Sequence, residues 1–514
     1  MGFFDKFRNT GVNTFNNTTK GLFLGAPEAE AESLKVSAMT LMDVFIEDSS
    51  VFNDLNHEKF IIIGRKGSGK SAIANFMMLS AENESNVFVD FVKETEISLQ
   101  RVIQLSATNE IKIDPTILFQ WVVLYKVIAL LIKNERLSSQ KYTSELKKFV
   151  SMNDSFSSFD QYKITELITN QKCEIDIGPL KEFFKIKVDD SLQTVRKKMP
   201  FYEMVPQLKT VVKTLLWTIS QYEDETEYFV FFDDLDNNFK SKDSLCKDSL
   251  LALIRIVKEL NAEFSNFDYV KIKIILLLRD DIKNILLANA DVAKLFASYA
   301  TPIKWYSDEM MRKDPNEVPI KKFIDKRIFF AFNHLQKSYS NCPSIANWDN
   351  FSRVAFKDVL DYTFYTPRDL LLFFKPITDH EYPIPLSRSS IEDLFNKYCD
   401  AIVDEIKSML SIHYTLDEIT RIFNTLDDFL VPNDKSYEEL STALINLNCG
   451  EDIMDILLNA SIVGWRDKNN GYVYFKHREK IGEDISKVTH GDDYYITLHR
   501  AVKNYFIIHK NRLK

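Results

Sequence analysis

Residues 64–71 read Gly-Arg-Lys-Gly-Ser-Gly-Lys-Ser, which satisfies G-x-x-x-x-G-K-[ST]. Their flanks constrain the fold more than any other feature of the chain. An apolar run, Phe60 to Ile63, reads as a buried strand leading in, and Ala72 to Ala81 as a helix leading out. Glycines allow successive backbone N–H groups to curl around phosphate oxygens, and the start of the next helix adds partial positive charge. In this pattern Lys70 reaches β- and γ-phosphates, and the Ser71 hydroxyl ligates Mg²⁺. Gly64, Arg65, Lys66, Gly67, Ser68, Gly69, Lys70, Ser71 and Ala72 are therefore the expected nucleotide-binding residues, with ATP and Mg²⁺ as the expected ligands. The bland alternative is a chance glycine-rich turn, for which strand and helix would both be coincidences.

Further strands alternate with helices. Asn86 to Val92 alternates like a strand, and Pro115 to Lys133 has a long helical pattern. Asn134 to Tyr162 is rich in Ser and Lys with little period and reads as surface or mobile. Ile164 to Asp190 holds short strand-like pieces, CEIDI and FFKIKV, before Leu192 to Glu223 returns to helix. Tyr228 to Phe232 reads as a strand ending in Asp233-Asp234-Leu235-Asp236. A helix over Ser244 to Phe264 leads to the buried strand Val270 to Leu278, which ends in Arg279-Asp280-Asp281. Such alternation implies a parallel sheet with right-handed crossovers. Ligands of these sheets bind beyond the carboxyl ends of the strands. After Thr301 the pattern is helical, until Ser461 to Asp467 and Tyr472 to Glu479 flank an Asn-Gly turn and read as a hairpin.

Each strand end carries a candidate group. An acid on a strand neighbouring the loop organises Mg²⁺ in such sites. Asp233 is assigned to the metal shell with Ser71, and Asp234 to orienting or deprotonating the attacking water; Asp236 helps to position the pair. Alternatively these acids form a solvated turn. Arg279 either reads the γ-phosphate or pairs with Asp280, Asp281 or another carboxylate. Arg368, at a helix start, either reaches the nucleotide or pairs with Asp369 or a neighbour. Lys70, Asp234, Arg279 and Arg368 are the catalytic candidates.

The net charge of −9 argues against a surface that grips nucleic acid everywhere. Residues 461–514 are the exception, with 11 Lys and Arg against 6 Asp and Glu, a net +5. That basic end suits either DNA phosphates or an acidic protein surface. Five scattered cysteines without a C-x-x-C fit a reducing, cytoplasmic setting. No apolar run reaches the roughly 18 residues of a membrane span. Phe3, Phe4, Phe7 and Phe15 suit an amphipathic arm that touches a partner, a membrane surface or its own protein.

Taken together, GRKGSGKS after an apolar strand, VFFDDLD, LLLRDDI and TPRDLL resemble the bacterial KAP-like and FunZ-like P-loop ATPases, related to the STAND and origin-recognition branches of the AAA+ superfamily. The resemblance spans roughly residues 25–374. It implies an α/β fold: a P-loop NTPase with a parallel sheet, followed by a helical lid and a C-terminal winged-helix-like domain. The implied bounds are an arm at 1–27, the NTPase domain at 28–300 with a helical insertion at about 95–222, a lid at 301–399 and the winged-helix-like domain at 400–514. In that scheme Lys70 and Ser71 match the Walker A pair, Asp233 and Asp234 the Walker B pair, Arg279 a sensor on the fourth strand and Arg368 a lid sensor. It implies a nucleotide-controlled switch working with copies of itself or a partner effector protein, sometimes in phage defence. KAP proteins often carry membrane helices in the insertion, and this chain shows none in its sequence. A DNA-loading ATPase and a non-hydrolysing ATP-bound scaffold are the competing readings.

Overall fold

The apolar runs meet in one sheet. Its strands are β1 (Ile61–Gly64), β2 (Val87–Val92), β3 (Thr226–Phe232), β4 (Val270–Arg279) and β5 (Ala300–Pro302). They lie in the order β2–β3–β4–β1–β5, and every neighbouring pair is parallel. The structure is a computed structural model describing residues 18–512 except 20, 47–48, 94–113, 154–173, 188–197, 236–238, 240–242, 288–289, 336–344, 432, 451 and 479–492. The Phe-rich arm and Asp236 lie outside the described residues. The chain forms two compact units: residues 47–304 with 408–416, and residues 1–46 with 305–407 and 417–514.

In the first unit the strands are continuous apolar runs because helices cover both faces of the sheet. Helix α1 (Lys70–Ala81) packs on β1 and β2. Helices α2 (Pro115–Leu131), α3 (Val205–Ser220) and α4 (Ser244–Phe264) form a second layer, with α2 against α3, α4, β2 and β3. The hydrophobicity of α2 all round is explained by that position. Trp121, Val122, Tyr125 and Ile128 are all buried. Among the described residues no helix is long and apolar enough to cross a membrane.

β1 is shorter than β4 and first pairs at Leu276, so part of the β4 edge needs other partners. The Asn261 side chain supplies them, donating to the Ile274 carbonyl at 2.8 Å and accepting from its N–H at 2.8 Å. Lys273, also on β4, is buried and donates to the carbonyls of Leu55 (2.6 Å) and His57, at the end of helix Ser49–Asn56. Burial, reinforced by Lys271, pulls the Lys273 amine down to about 8.

Residues 29–44 hold two short helices, Ala29–Ser33 and Leu41–Val44, and two local expectations are corrected further along. Thr40 and Asp43 form a capping box that starts the second afresh. FFKIKV is not a strand: Gly178–Lys187 is helical, with Phe183 and Phe184 buried, because an apolar run this short fits either geometry. The Ser- and Lys-rich stretch from Asn134 is not all surface. Lys141–Met152 is a helix that buries Tyr142, Leu146 and Phe149; residues 154–162 lie outside the described ones.

Residues up to 46 group with the second unit. An ion pair buried at both ends holds them there. Arg327 donates to Glu32 twice, at 2.6 and 2.7 Å, and to the Leu24 carbonyl at 3.1 Å. Glu32 also accepts from the Ala26 N–H at 2.8 Å. A Cβ at Gly25 would lie 1.9 Å from Arg327 Nη1, and the backbone there has φ 118°, so glycine is required twice over. Further along this unit, β6 (Val463–Asp467), β7 (Val473–Tyr474) and β8 (Tyr494–Leu498) form an antiparallel sheet ordered β8–β6–β7, with the expected Asn-Gly turn between β6 and β7. Helix Arg500–Arg512 closes the chain.

Two stability measurements test these anchors. Glu32→Gln should cost about 3–5 kcal/mol in denaturant melts, since it leaves the Arg327 charge buried and uncompensated; a loss under about 1 kcal/mol would contradict the pair's role. For Lys273 the folded pKa lies below the unfolded value of 10.5, so the unfolded chain holds the extra proton between pH 8 and 10.5. Wild-type stability should therefore rise across that window relative to Lys273→Met, and parallel pH profiles would refute it.

Candidate functional site

In a parallel sheet every strand ends at the same edge. β1 is the strand whose outgoing connection runs toward β2, while β2, β3 and β4 connect onward in the other direction. The loop after β1 therefore sits where the topology switches, the usual place for a ligand crevice. Residues 64–69 make this loop, with Gly67 at φ 80° and Gly69 at φ 89°, both left-handed. Gly64 has a different reason to be glycine: a Cβ there would lie 2.2 Å from Ser68 Oγ. Gly69 is the N-cap of α1, and the Ile73 N–H donates to its carbonyl at 3.1 Å. The N–H groups of the first turn, from Lys70 to Ala72, lie at the loop end of a twelve-residue helix.

Asp233 continues β3 by one residue, its N–H donating to the Val92 carbonyl at 3.0 Å. Its carboxylate accepts from the Ser71 hydroxyl at 2.5 Å and from the Asp234 N–H at 2.9 Å. Two groups 162 residues apart in sequence thus meet. Sequence reasoning put the acid on a strand next to β1, and this is corrected. β4 lies between β1 and β3, with Gly64 beside Arg279. Ser71 nevertheless reaches Asp233 because α1 crosses the sheet from β1 toward β2, on the far side of β3. Burial and the neighbouring Asp234 carboxylate push the Asp233 carboxyl up to about 6, against the opposing pull of Ser71, the Asp234 N–H and Lys70. Asp234 has φ 54°, a left-handed backbone that aspartate tolerates, and this turns the chain just past the strand.

The remaining candidates have definite partners. Lys70 donates to the carbonyls of Gly64 (3.0 Å) and Arg65 (3.2 Å), folding across its own loop. Lys66 donates to the Ser408 hydroxyl at 3.1 Å. Ser408 was absent from the sequence reading, and no local signal marks a residue 342 positions away. Arg279 forks onto Asp281, with Nε 3.1 Å from Oδ1 and Nη2 on Oδ2, which is one of its two expected roles. Arg368 belongs to the other unit, where it donates to the Pro27 carbonyl at 3.3 Å and lies 3.8 Å from Glu405. Asp369 is instead taken by Thr366, whose hydroxyl donates to it at 2.8 Å in the helix cap.

No family model matches the chain, and no characterised protein or solved structure matches it. The loop's geometry has its own test. Gly64→Ala should lower stability by about 1–3 kcal/mol, as overpacking does. Ser68→Ala in the same chain should recover most of that loss by removing the clashing hydroxyl, whereas additive losses would mean the contact is not the cause.

Proposed function

We propose that this loop holds the phosphates of ATP and that the chain is a Mg²⁺-dependent ATPase, a P-loop NTPase that works as a nucleotide-controlled switch. The observation that carries this reading is the Ser71–Asp233 contact beside Lys70. It joins a hydroxyl, a buried acid and an ammonium group at one strand edge. The strand order, with β4 between β1 and the acid-bearing β3, supports it too, since it sets Arg279 next to the loop.

The donor set suits magnesium: both Ser71 and Asp233 offer hard oxygen atoms, and a carboxylate raised by burial gains from a cation. Bound there, magnesium would neutralise phosphate charge and draw electrons from the bond that breaks. Lys70 would turn from its carbonyl partners to the phosphates, and the N–H groups of residues 67–72 would hold the oxygens. Asp234, aimed by its left-handed backbone, would orient a water and take its proton. Arg279 would leave Asp281 to meet charge on the transferred group. Arg368 is proposed as a second sensor, in the lid.

We read the second unit as the helical lid with a winged-helix-like end, in a protein that acts in the cytoplasm with copies of itself or an effector protein, and we extend the resemblance to phage defence as a hypothesis. DNA binding through the basic end finds less support. Arg466 pairs with Asp434 at 2.7 Å, Lys510 with Asp427 at 2.7 Å, and Lys503 lies 3.5 Å from Asp434. These three of the eleven basic residues are thus paired with acids of the same unit.

Calorimetry with Mg·ATP, together with phosphate release, tests the proposal. Lys70→Ala should lose at least about tenfold in affinity and all turnover. Asp234→Asn should bind ATP like the wild type yet turn over about 100-fold or more slowly, the usual cost of losing a general base. Hydrolysis indifferent to Lys70→Ala would overturn the assignment, and full function in Asp234→Asn would favour the scaffold reading.

A further inference from the structure

The phosphate loop is tied to a segment from much later in the chain. Helix Arg388–Leu410 belongs to the second unit as far as Lys407, but its last turn and the residues up to Leu416 belong to the sheet unit. There Leu410, Ile412 and Tyr414 are buried, with Ile412 part of the core around the sheet, while Ser408, Ser411 and Thr415 are exposed. The segment is thus seated by alternate side chains. Ser411 donates to the Ser408 carbonyl at 2.7 Å, and the N–H groups of His413 and Tyr414 donate to the Leu410 carbonyl at 2.9 and 3.0 Å. From the loop, Lys66 reaches it, with Nζ 3.1 Å from the Ser408 hydroxyl.

Three polar side chains of the loop and first helical turn donate to protein acceptors: Lys66 to Ser408, Lys70 to Gly64 and Arg65, Ser71 to Asp233. Phosphate oxygens compete for the same donors. Two of these bonds close within the site, but the third leaves it. We propose that residues 408–416 are a strap latched to the phosphate loop through Ser408, and that nucleotide phosphates release it by claiming Lys66. This rests on the reading of the loop as a triphosphate site and adds the part of the chain that registers its occupancy. Ser408 is a positioning residue that acts through Lys66.

The latch opposes nucleotide binding, so removing it should tighten binding. Ser408→Ala should bind Mg·ADP about two- to threefold more tightly than wild type, the size expected for one exposed hydrogen bond. Ser408→Thr, which keeps the hydroxyl, should bind like wild type. Amide hydrogen exchange supplies a second readout on the full chain. Saturating Mg·ADP should speed exchange over residues 409–416 about threefold or more in wild type and leave it unchanged in Lys70→Ala. In Ser408→Ala the same amides should already exchange fast without nucleotide. Equal affinities for Ser408→Ala and wild type, or exchange that stays the same or slows on binding, would overturn the strap. A wild type that does not bind Mg·ADP would overturn the underlying site instead, so the two failures are distinguishable.

Discussion

The order of the five parallel strands is the constraint on which the site depends. Parallel strands present their carboxyl ends at one edge, and the switch in direction at β1 leaves the glycine-rich loop there without a crossover to cover it. The same order separates that loop from Asp233 by a full strand. Helix α1 closes the gap by crossing toward β2, which brings the Ser71 hydroxyl to the Asp233 carboxylate. The acid is fixed as firmly as the loop, because its own N–H still belongs to the β2–β3 ladder. A site made this way is only as precise as the sheet, whose central strands β1, β3 and β4 are almost wholly buried.

Buried charge is handled differently in the two units, and the contrast separates scaffold from chemistry. Glu32 and Arg327 share two matched hydrogen bonds, and the Leu24 carbonyl and the Ala26 N–H each add one more. Lys273 faces two carbonyls at a helix end and gives up part of its hold on the proton. Asp233 has a hydroxyl and an N–H for partners but a second carboxylate beside it, so its charge remains costly within the protein alone. Arg279, one strand over, is balanced by Asp281, an arrangement that stores a guanidinium at the edge without stranding it.

Much of the sheet was legible because its strands are continuous apolar runs bounded by chemistry at their ends. The limits of β2, β3, β4 and helix α4 fall within about two residues of those read from pattern, as boundaries of strongly patterned elements can. Short or mixed segments were not legible in this way. FFKIKV has the composition of a strand, yet it packs as a helix through Phe183 and Phe184. The Ser- and Lys-rich stretch hid Tyr142, Leu146 and Phe149, whose helical spacing is diluted by polar neighbours. The segment up to residue 46 groups with the second unit through distant partners, Arg327 on Glu32 and Arg368 on the Pro27 carbonyl among them.

By itself the sequence determined which local pieces exist and which chemistry they carry: a glycine-rich loop between strand and helix, an acid pair and an arginine after apolar runs, and a hairpin at an Asn-Gly turn. Those follow from backbone freedom, hydrogen-bonding capacity and hydrophobic period, all of which act over a few residues. Only the tertiary structure decided that β4 stands between the loop and Asp233, that Arg279 faces Asp281, and that Lys66 meets Ser408. Strand order and contacts across hundreds of residues depend on which surfaces are buried together, and no short window of sequence contains both partners.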